Sequence, residues 1–321
     1  MSIASQPVSH DGASLRSNSV ATEVLAGLRA RPKHISPKYF YDQKGSALFD
    51  AITQLDEYYL PRVERQIFHD HSAAICDAVG AGATVIEPGA GSCEKIAWLL
   101  PELKPDLYVP MDISGEHLMR SAAALRERFP QLPIAPQVCD HTVGLELDAE
   151  IPDGDRVFFY PGSSIGNFEP TAAVEFMQRM RALMRDDSGL LIGVDTKKDR
   201  NVLHAAYNDS DGVTAAFNLN VLNHLNAQLD GDFATDDFEH HALYNESAGR
   251  IEMHLRCNRD HAVDLAGESV EFDAGELIHT ESSYKYHPDE FAALGEQAGL
   301  QQRDCWQDEQ GWFSVLYLTP T

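Results

Sequence analysis

The chain has 321 residues, 43% of them hydrophobic, and it carries 50 acidic side chains against 25 lysines and arginines. A hydrophobic fraction of this size is ordinary for a globular protein, so we expect a core that needs neither disulfides nor a metal. The acidic excess argues against a nucleic acid or a membrane as partner, because both are negatively charged and bind basic surfaces. A small or cationic substrate fits the charge better.

The cysteines and the N-terminus favour a cytoplasmic protein. The five cysteines are scattered and form no C-x-x-C pair, which is typical of a reducing compartment. The first residues lack the apolar segment of a secretory signal, and no stretch reaches the roughly 18 apolar residues of a membrane helix. We expect residues 1–18 to form a flexible arm.

From residue 83 the sequence alternates between strand-like and helix-like runs. Short apolar runs predict strands at 83–87, 107–113, 134–139, 156–160 and 189–194. Runs with helical spacing predict helices at 94–100, at 115–128 and after Pro170. Alternating units of this kind form a parallel sheet with helices on both faces, so the sequence predicts an α/β, Rossmann-like fold.

The alternation stops near residue 196. Beyond it the sequence predicts a helix at 199–230, an acidic segment, strands at 250–257 and 276–286, a helix at 288–298 and a strand at 312–318. The insertion before the last helix has about 90 residues, which is too many for a loop. We therefore expect two domains. Residues 19–62 plus 198–286 would form a substrate-binding α+β domain, and residues 63–197 plus 287–321 would bind the cofactor.

A glycine-rich turn follows the first strand of the predicted sheet. In Glu87-Pro88-Gly89-Ala90-Gly91 the glycines let the backbone approach a ligand, but Glu94 stands where a dinucleotide fingerprint has its third glycine. The next two strands end in Asp112 and Asp140, whose carboxylates can accept hydrogen bonds from ribose hydroxyls and an adenine amino group. The pattern favours an S-adenosylmethionine-dependent methyltransferase. An NAD enzyme and a tight turn with surface acids stay open.

Several longer runs resemble those of one enzyme family. They are Lys38-Tyr39-Phe40-Tyr41-Asp42, Gly45-Ser46-Ala47-Leu48-Phe49, Glu57-Tyr58-Tyr59, Glu87-Pro88-Gly89-Ala90-Gly91, Pro161-Gly162-Ser163-Ser164-Ile165-Gly166-Asn167, Gly212-Val213-Thr214-Ala215-Ala216-Phe217-Asn218 and Ile251-Glu252-Met253. These runs resemble the histidine-specific Nα-methyltransferases, which form hercynine, the first intermediate of ergothioneine biosynthesis. The resemblance extends from about Leu25 to the C-terminus.

The resemblance implies a Rossmann-like class I methyltransferase core with a second, substrate-binding α+β domain. It also implies S-adenosylmethionine as methyl donor, L-histidine as substrate, no metal, and a monomer. The cofactor would be bound by Gly89, Lys95, Asp112, Asp140, His141 and Gly162. The substrate would be bound by Asn167 and Tyr207 at its carboxylate, by Tyr58 at one imidazole nitrogen, and by Glu281 and Ser283 at the other. Phe49 and Met253, together with Tyr41, would shape the pocket around the amine and ring.

These roles lead to a mechanistic hypothesis. The neutral α-amino nitrogen attacks the methyl carbon and S-adenosylhomocysteine leaves, so most of the rate enhancement would come from holding the reacting atoms in line. Tyr41 is our candidate catalytic residue, because it or water could accept the released proton. Three rounds would give a trimethylammonium group, whose charge suits an aromatic or acidic wall.

Other interpretations stay open. The substrate could be another aromatic amino acid or amine. The run from Gly162 to Gly166 resembles the G-x-S-x-G nucleophile elbow, so Ser164 could serve a serine hydrolase. The chain could also bind the cofactor without turnover. The pairs His69/His71 and His240/His241 lack a third ligand at recognisable spacing, which favours surface histidines over a metal site.

Overall fold

The computed structural model describes residues 10–321, with side chains from Ser19 onward. Residues 1–9 of the predicted arm lie outside the described residues, and the rest of that segment begins the first helix. The helices in the described chain are α1 (His10–Arg29), α2 (Gln43–Ile52), α3 (Leu60–Val79), α4 (Leu100–Leu103), α5 (Gly115–Arg128), α6 (Pro170–Ala182), α7 (Arg200–Tyr207), α8 (Val213–Leu229) and α9 (Pro288–Gln297). None of these helices is both long and apolar enough to cross a bilayer.

The strands of the same residues are β1 (Lys33–His34), β2 (Thr84–Pro88), β3 (Leu107–Asp112), β4 (Gln137–Val138), β5 (Arg156–Tyr160), β6 (Gly189–Asp195), β7 (Phe238–Asn245), β8 (Arg250–Cys257), β9 (His261–Leu265), β10 (Glu268–Phe272), β11 (Leu277–Tyr284), β12 (Leu300–Gln307) and β13 (Phe313–Pro320). Short 3-10 turns lie at Pro37–Phe40, Ile96–Trp98, Ser164–Asn167 and Thr235–Asp237.

The chain divides into two compact units. The first contains the described residues through Tyr58, together with Arg200–Asn245 and Ile251–Ser282. The second contains Tyr59–Asp199, Glu246–Arg250 and Ser283–Thr321. The sequence predicts domain limits after residues 62, 197 and 286. That one of these domains binds the substrate and the other the cofactor stays a prediction.

A seven-stranded sheet forms the centre of the second unit. Its order is β12-β13-β6-β5-β2-β3-β4, with parallel pairs except at β13, which runs antiparallel to both neighbours. Strands β2 and β6 are buried at every residue, as expected for strands with helices on both faces. The strand order reverses between β2 and β5, and ligands of such sheets bind at the carboxyl ends of strands at this switch point. The topology confirms the predicted Rossmann-like α/β fold.

Helix α6 shows how the sequence produces the core of this unit. Its apolar residues Ala173, Phe176, Met177 and Met180 recur at helical spacing, and all four are fully buried in the cluster that includes the strand residues of the sheet. Two elements predicted for this unit differ from the structure. The helix at 94–100 is a 3-10 turn followed by the short α4. The strand at 134–139 is reduced to β4 and a single bridge from Ile134.

The first unit is built on a four-stranded sheet of order β1-β11-β8-β7 and a separate β9–β10 hairpin. The last two residues of β11 belong to the second unit. Helix α8 packs on α2 and β7 and is buried along much of its length. The single helix predicted over 199–230 is in fact two helices. The Asp209 carboxylate accepts the backbone N–H groups of Val213 and Thr214, each at 2.8 Å, and so begins α8 as a separate helix.

Candidate active site

A glycine loop follows β2 at the carboxyl end of the sheet in the second unit. Gly89 and Gly91 have φ values of 71° and 51°, a conformation that glycine adopts without strain. The Asp112 carboxylate, at the end of β3, accepts the backbone N–H of Gly91 at 3.0 Å and that of Ser114 at 2.8 Å. Asp112 therefore fixes the loop, and each of its oxygens keeps a further lone pair that a ribose hydroxyl can use.

His141 lies directly against this loop. A Cβ on Gly89 would lie 3.1 Å from the His141 Cε1 atom, so a larger residue would displace the ring. The ring packs on Phe176, and its burial lowers the pKa of His141 below the usual value, which keeps the ring uncharged at neutral pH. The neighbouring Asp140 is held in place because its carboxylate accepts the Thr142 hydroxyl at 2.5 Å.

Lys95 and Gly162 are brought together by Glu64, a residue that our sequence analysis missed. Glu64 is fully buried on α3 and accepts the Lys95 ammonium at 2.7 Å and the Gly162 backbone N–H at 2.6 Å. Gly162 has a φ of 82°, and a Cβ there would collide with the Lys95 Nζ atom. A signal was present in the sequence, because an acid in an apolar helix face requires a partner. That face includes Leu60, Ile67 and Phe68.

These residues fit a nucleoside that carries a charged tail. Asp112 and Asp140 supply acceptors for hydroxyl and amino groups, and the Lys95 ammonium has further donors for a carboxylate. No atom lies within 4 Å of the position that a Cβ would take on Gly91, so the loop leaves open space at that point. The residue set therefore matches S-adenosylmethionine, with acceptors for its nucleoside and a cation for its amino-acid end.

Glu87 lies near the end of β2, two residues before Gly89 of the glycine loop. It is fully buried in β2, the Tyr108 hydroxyl donates to it at 2.5 Å, and burial raises the pKa of Glu87 to about 8. The carboxyl group is therefore mostly protonated at neutral pH. Burial also raises the pKa of the Cys93 thiol in the same loop, to about 12, so this cysteine is an inert thiol.

An aromatic pocket lies in the first unit. Six of the residues predicted to contact the substrate line it: Tyr41, Phe49, Tyr58, Tyr207, Met253 and Glu281. The Tyr58 ring meets those of Phe49 and Tyr207 edge-on, with centroids 6.5 and 6.1 Å apart. Glu281 is 9% exposed and so places a nearly buried carboxylate among the rings. Such a pocket can bind a flat ring with N–H donors, or a cation.

The edges of this pocket are fixed by side-chain caps and by α8. The Asp42 carboxylate begins α2 by accepting the Gly45 backbone N–H at 2.6 Å, and it also accepts the Asn220 amide at 2.9 Å. The preceding residue, Tyr41, is exposed, and its ring lies 6.0 Å from that of Phe217. Phe217 lines the pocket but was not among the predicted site residues, although it stands in one of the family-like runs.

Asn167 and Ser283 lie in the second unit, on neighbouring segments. Asn167 ends the 3-10 turn after β5. In that turn, a Cβ on Gly166 would lie 2.6 Å from the carbonyl oxygen of Tyr284, so the turn packs directly on the backbone next to Ser283. The Ser283 hydroxyl oxygen accepts a hydrogen bond from the Lys285 ammonium at 2.9 Å.

The described residues do not provide the partners of a serine hydrolase or of a metal site. The Ser164 hydroxyl donates to the Pro161 carbonyl at 3.4 Å, and within the described chain it makes no hydrogen bond to a histidine. A nucleophile elbow requires such a base. Within residues 10–321 no group of three or more His, Cys, Asp or Glu side chains is placed to hold a metal ion.

The Rossmann-like sheet, its glycine loop and the acids at the next strand ends define the class: an S-adenosylmethionine-dependent methyltransferase with a class I core. The profile of one family, described as "Histidine-specific methyltransferase, SAM-dependent", matches residues 20–320. The chain therefore belongs to the histidine-specific methyltransferase family. This result confirms the predicted family and class, and it leaves neither a hydrolase nor an NAD enzyme as an alternative.

Individual relatives agree with the family assignment. The chain is 40% identical over 300 residues to the histidine N-alpha-methyltransferase of Mycolicibacterium smegmatis. The aligned residues cover 91% of this chain and 92% of that protein. The enzyme of the same name from Mycobacterium tuberculosis is 39% identical over 303 residues, with the same coverage. The ergothioneine biosynthesis protein 1 of Neurospora crassa is 30% identical over 305 residues, which cover 89% of this chain and 33% of that larger protein.

Proposed function

We propose that this enzyme methylates the α-amino nitrogen of L-histidine three times and releases hercynine and S-adenosylhomocysteine, as the first step of ergothioneine biosynthesis. The observation that carries the proposal is the pocket in which Glu281 lies among the rings of Tyr58, Phe49 and Tyr207. Family membership and the names of the mycobacterial and fungal relatives support it.

The pair of Glu281 and Tyr58 matches imidazole better than other aromatic rings. A neutral imidazole has one N–H donor and one acceptor nitrogen, whereas indole has a donor alone and a phenyl ring has neither. A carboxylate and a phenol can satisfy both imidazole nitrogens. A site built for both hydrogen bonds rejects a ring that lacks one of them by roughly 10⁴-fold, because buried polar groups are left unpaired.

A second candidate is another aromatic amino acid. It has a specific basis, since a relative 26% identical to this chain is named L-tryptophan methyltransferase, from Psilocybe serbica. The acceptor of Glu281 could serve an indole N–H, but indole has no second ring nitrogen for the Tyr58 hydroxyl to meet. We therefore place histidine first.

Catalysis in this proposal comes from orientation. S-adenosylmethionine supplies an electrophilic methyl group when bound. Tyr207, in the pocket of the first unit, offers a donor to the substrate carboxylate, and fixing that carboxylate fixes the adjacent amine. Tyr41, which is exposed at the pocket, relays the proton released from the amine by giving its own hydroxyl proton to water. The rings of Phe49 and Phe217 stabilise the positive charge that forms on the nitrogen in each transfer and that stays on the trimethylammonium product.

The direct test is mass spectrometry of the purified enzyme with S-adenosylmethionine and a panel of amino acids. We expect histidine to gain three methyl groups and tryptophan and phenylalanine to gain none. Glu281→Ala should lower kcat/KM for histidine by about a hundredfold, the effect of losing a hydrogen bond to a charged group. The control is Glu271→Ala, at an exposed residue of the same unit. Unchanged histidine turnover in Glu281→Ala would refute this site assignment.

Thermal shift tests whether the protein binds histidine as well as the cofactor. We expect S-adenosylhomocysteine and histidine each to raise the melting temperature. If S-adenosylhomocysteine raised it and histidine did not, the proposal would be contradicted. A monomeric state, a cytoplasmic location and the lack of nucleic-acid, membrane and metal partners belong to the same proposal and stay predictions.

A further inference from the structure

A cluster of buried charged side chains lies at the carboxyl end of β6 in the second unit. Asp195, the last residue of that strand, is fully buried, and its Oδ2 atom accepts the Lys285 ammonium at 2.7 Å. The Oδ1 atom accepts the ammonium of Lys198, and the Tyr59 hydroxyl donates to the same carboxylate at 2.8 Å. We refer to Asp195, Lys198, Lys285 and Tyr59 as the Asp195 cluster.

The Asp195 cluster is poorly explained as a source of stability. Burial alone would raise the pKa of Asp195, but the ammonium groups of Lys285 and Lys198 hold it below its usual value, so the carboxylate stays charged. Buried ion pairs of this kind contribute little more than apolar residues of similar volume, because desolvation opposes their attraction. The hydrogen bonds that leave the cluster therefore need a separate explanation.

One of these bonds reaches a predicted substrate residue. Lys285 is fully buried directly after β11, and its backbone N–H donates to the Gly249 carbonyl at 2.9 Å. Its ammonium, fixed on one side by Asp195, donates on the other to the Ser283 Oγ atom at 2.9 Å. A hydroxyl that accepts from an ammonium cannot turn its own hydrogen toward it. The hydrogen and the second lone pair of Ser283 are therefore directed away from Lys285.

A second bond holds the segment that carries Asn167. The backbone N–H of Asp195 donates to the Ser163 Oγ atom at 2.9 Å. Ser163 has a φ of 59° and directly precedes the turn that ends in Asn167. Asp195 thus fixes this turn through its main chain, and the Ser283 hydroxyl through Lys285.

We propose that Lys285, held by Asp195, is a positioning residue that orients the Ser283 hydroxyl and thereby sets the affinity of the enzyme for an amino acid with a ring nitrogen. The inference rests on the proposed function, since it requires Ser283 to meet the substrate ring. Lys285 itself touches neither the substrate nor the cofactor in this role.

A double-mutant cycle tests the proposal. Histidine is titrated by calorimetry into enzyme saturated with S-adenosylhomocysteine, for the wild type, Lys285→Met, Ser283→Ala and the double variant. Lys285→Met leaves Asp195 with Lys198 and Tyr59, so the cluster keeps a balanced charge pair. We expect each single variant to raise the Kd for histidine about tenfold, as for a lost hydrogen bond.

The double variant should bind histidine no more weakly than Ser283→Ala, because Lys285 acts through Ser283. The Kd for S-adenosylhomocysteine should stay unchanged throughout. The control is Lys197→Met, which removes a partly exposed lysine that pairs with Glu290 at 2.6 Å, and it should leave both affinities unchanged.

Three results would overturn the inference: additive effects in the cycle, an equal loss of S-adenosylhomocysteine affinity in Lys285→Met, or unaltered histidine binding by that variant. Should Lys285→Met fail to fold, Lys285→Ala also removes the ammonium that donates to Ser283, and the same cycle decides with it. A wild-type enzyme that binds S-adenosylhomocysteine but no histidine would instead refute the proposed function and this inference with it. If the wild type binds histidine but the effects of the two substitutions are additive, the inference is refuted and the proposed function is not.

Discussion

Glu87 beneath the glycine loop should make the protein less stable at alkaline pH, and Glu87→Gln should remove that sensitivity. In the folded protein burial raises the pKa of this carboxyl from 4.5 to about 8. In the unfolded chain the group titrates near its ordinary value. Glutamine has the shape of the protonated side chain, and it keeps an oxygen for the Tyr108 hydroxyl, which donates at 2.5 Å.

The folded state binds this proton more tightly than the unfolded chain does. The favourable contribution of Glu87 is therefore complete below about pH 4.5 and is lost as the pH rises through about 8. At about 1.4 kcal/mol per pKa unit, the loss between about pH 5.5 and about pH 8.5 is about 3 kcal/mol. Glu87→Gln lacks this titration, so its free energy of unfolding should rise by that amount relative to the wild type over the same range.

The measurement is urea unfolding, followed by circular dichroism at several pH values and extrapolated linearly to water. Glu127→Gln is the matched control, because Glu127 lies exposed on α5 and its replacement should leave the pH dependence of the wild type intact. A stability difference between Glu87→Gln and the wild type that stays constant with pH would show that the carboxyl is already ionised in the folded protein. That result would refute the protonated state of Glu87 at the base of the loop.

Two further changes test how the second unit holds its loops. Glu64→Gln removes the anionic partner of Lys95, so the Kd for S-adenosylhomocysteine should rise about tenfold in calorimetry, and an unaltered Kd would contradict the bridging role. Gly166→Ala would place a Cβ 2.6 Å from the Tyr284 carbonyl oxygen, so the free energy of unfolding should fall by about 1–3 kcal/mol and the KM for histidine should rise. Gly154→Ala is its control, since no atom lies within 4 Å of the added Cβ, and equal stability of the two variants would argue against the close approach.

The part of the site that could be predicted from sequence is the part with local causes. The strand before Gly89 is a short apolar run, and the turn after it requires glycine at positive φ, so both are visible in a few residues. Asp112 and Asp140 were found for the same reason, because one ends a strand and the other lies just past the end of the next strand. The pocket residues such as Tyr58 were found through resemblance to a family, which carries information that no local pattern contains.

The residues that were missed have distant partners. Glu64 bonds to Lys95 and to Gly162, which stand 31 and 98 positions further along the chain. No periodicity or spacing connects such positions. The β9–β10 hairpin was missed for another reason. It lies in a region rich in acids, and its two-residue turn is Ala266-Gly267, with φ values of 52° and 77°, rather than the Asn-Gly or Asp-Gly pair that marks a hairpin in a sequence.

The three buried acids of the second unit, Glu64, Glu87 and Asp195, share one role, which is to fix loops at the end of the sheet. Glu64 is paired with an ammonium, Asp195 with two, and the raised pKa of Glu87 leaves that group mostly protonated, so none remains an unpaired buried charge. The buried ion pairs of Glu64 and Asp195 contribute little to stability, and apolar side chains of the same volume would serve the core as well. Each acid instead contacts or underlies a segment at the carboxyl end of the sheet: the Gly162 segment, the Ser163 turn and the glycine loop. Because a hydrogen bond has direction and apolar contact has none, buried acids at these positions can fix the loops where apolar residues would only fill space.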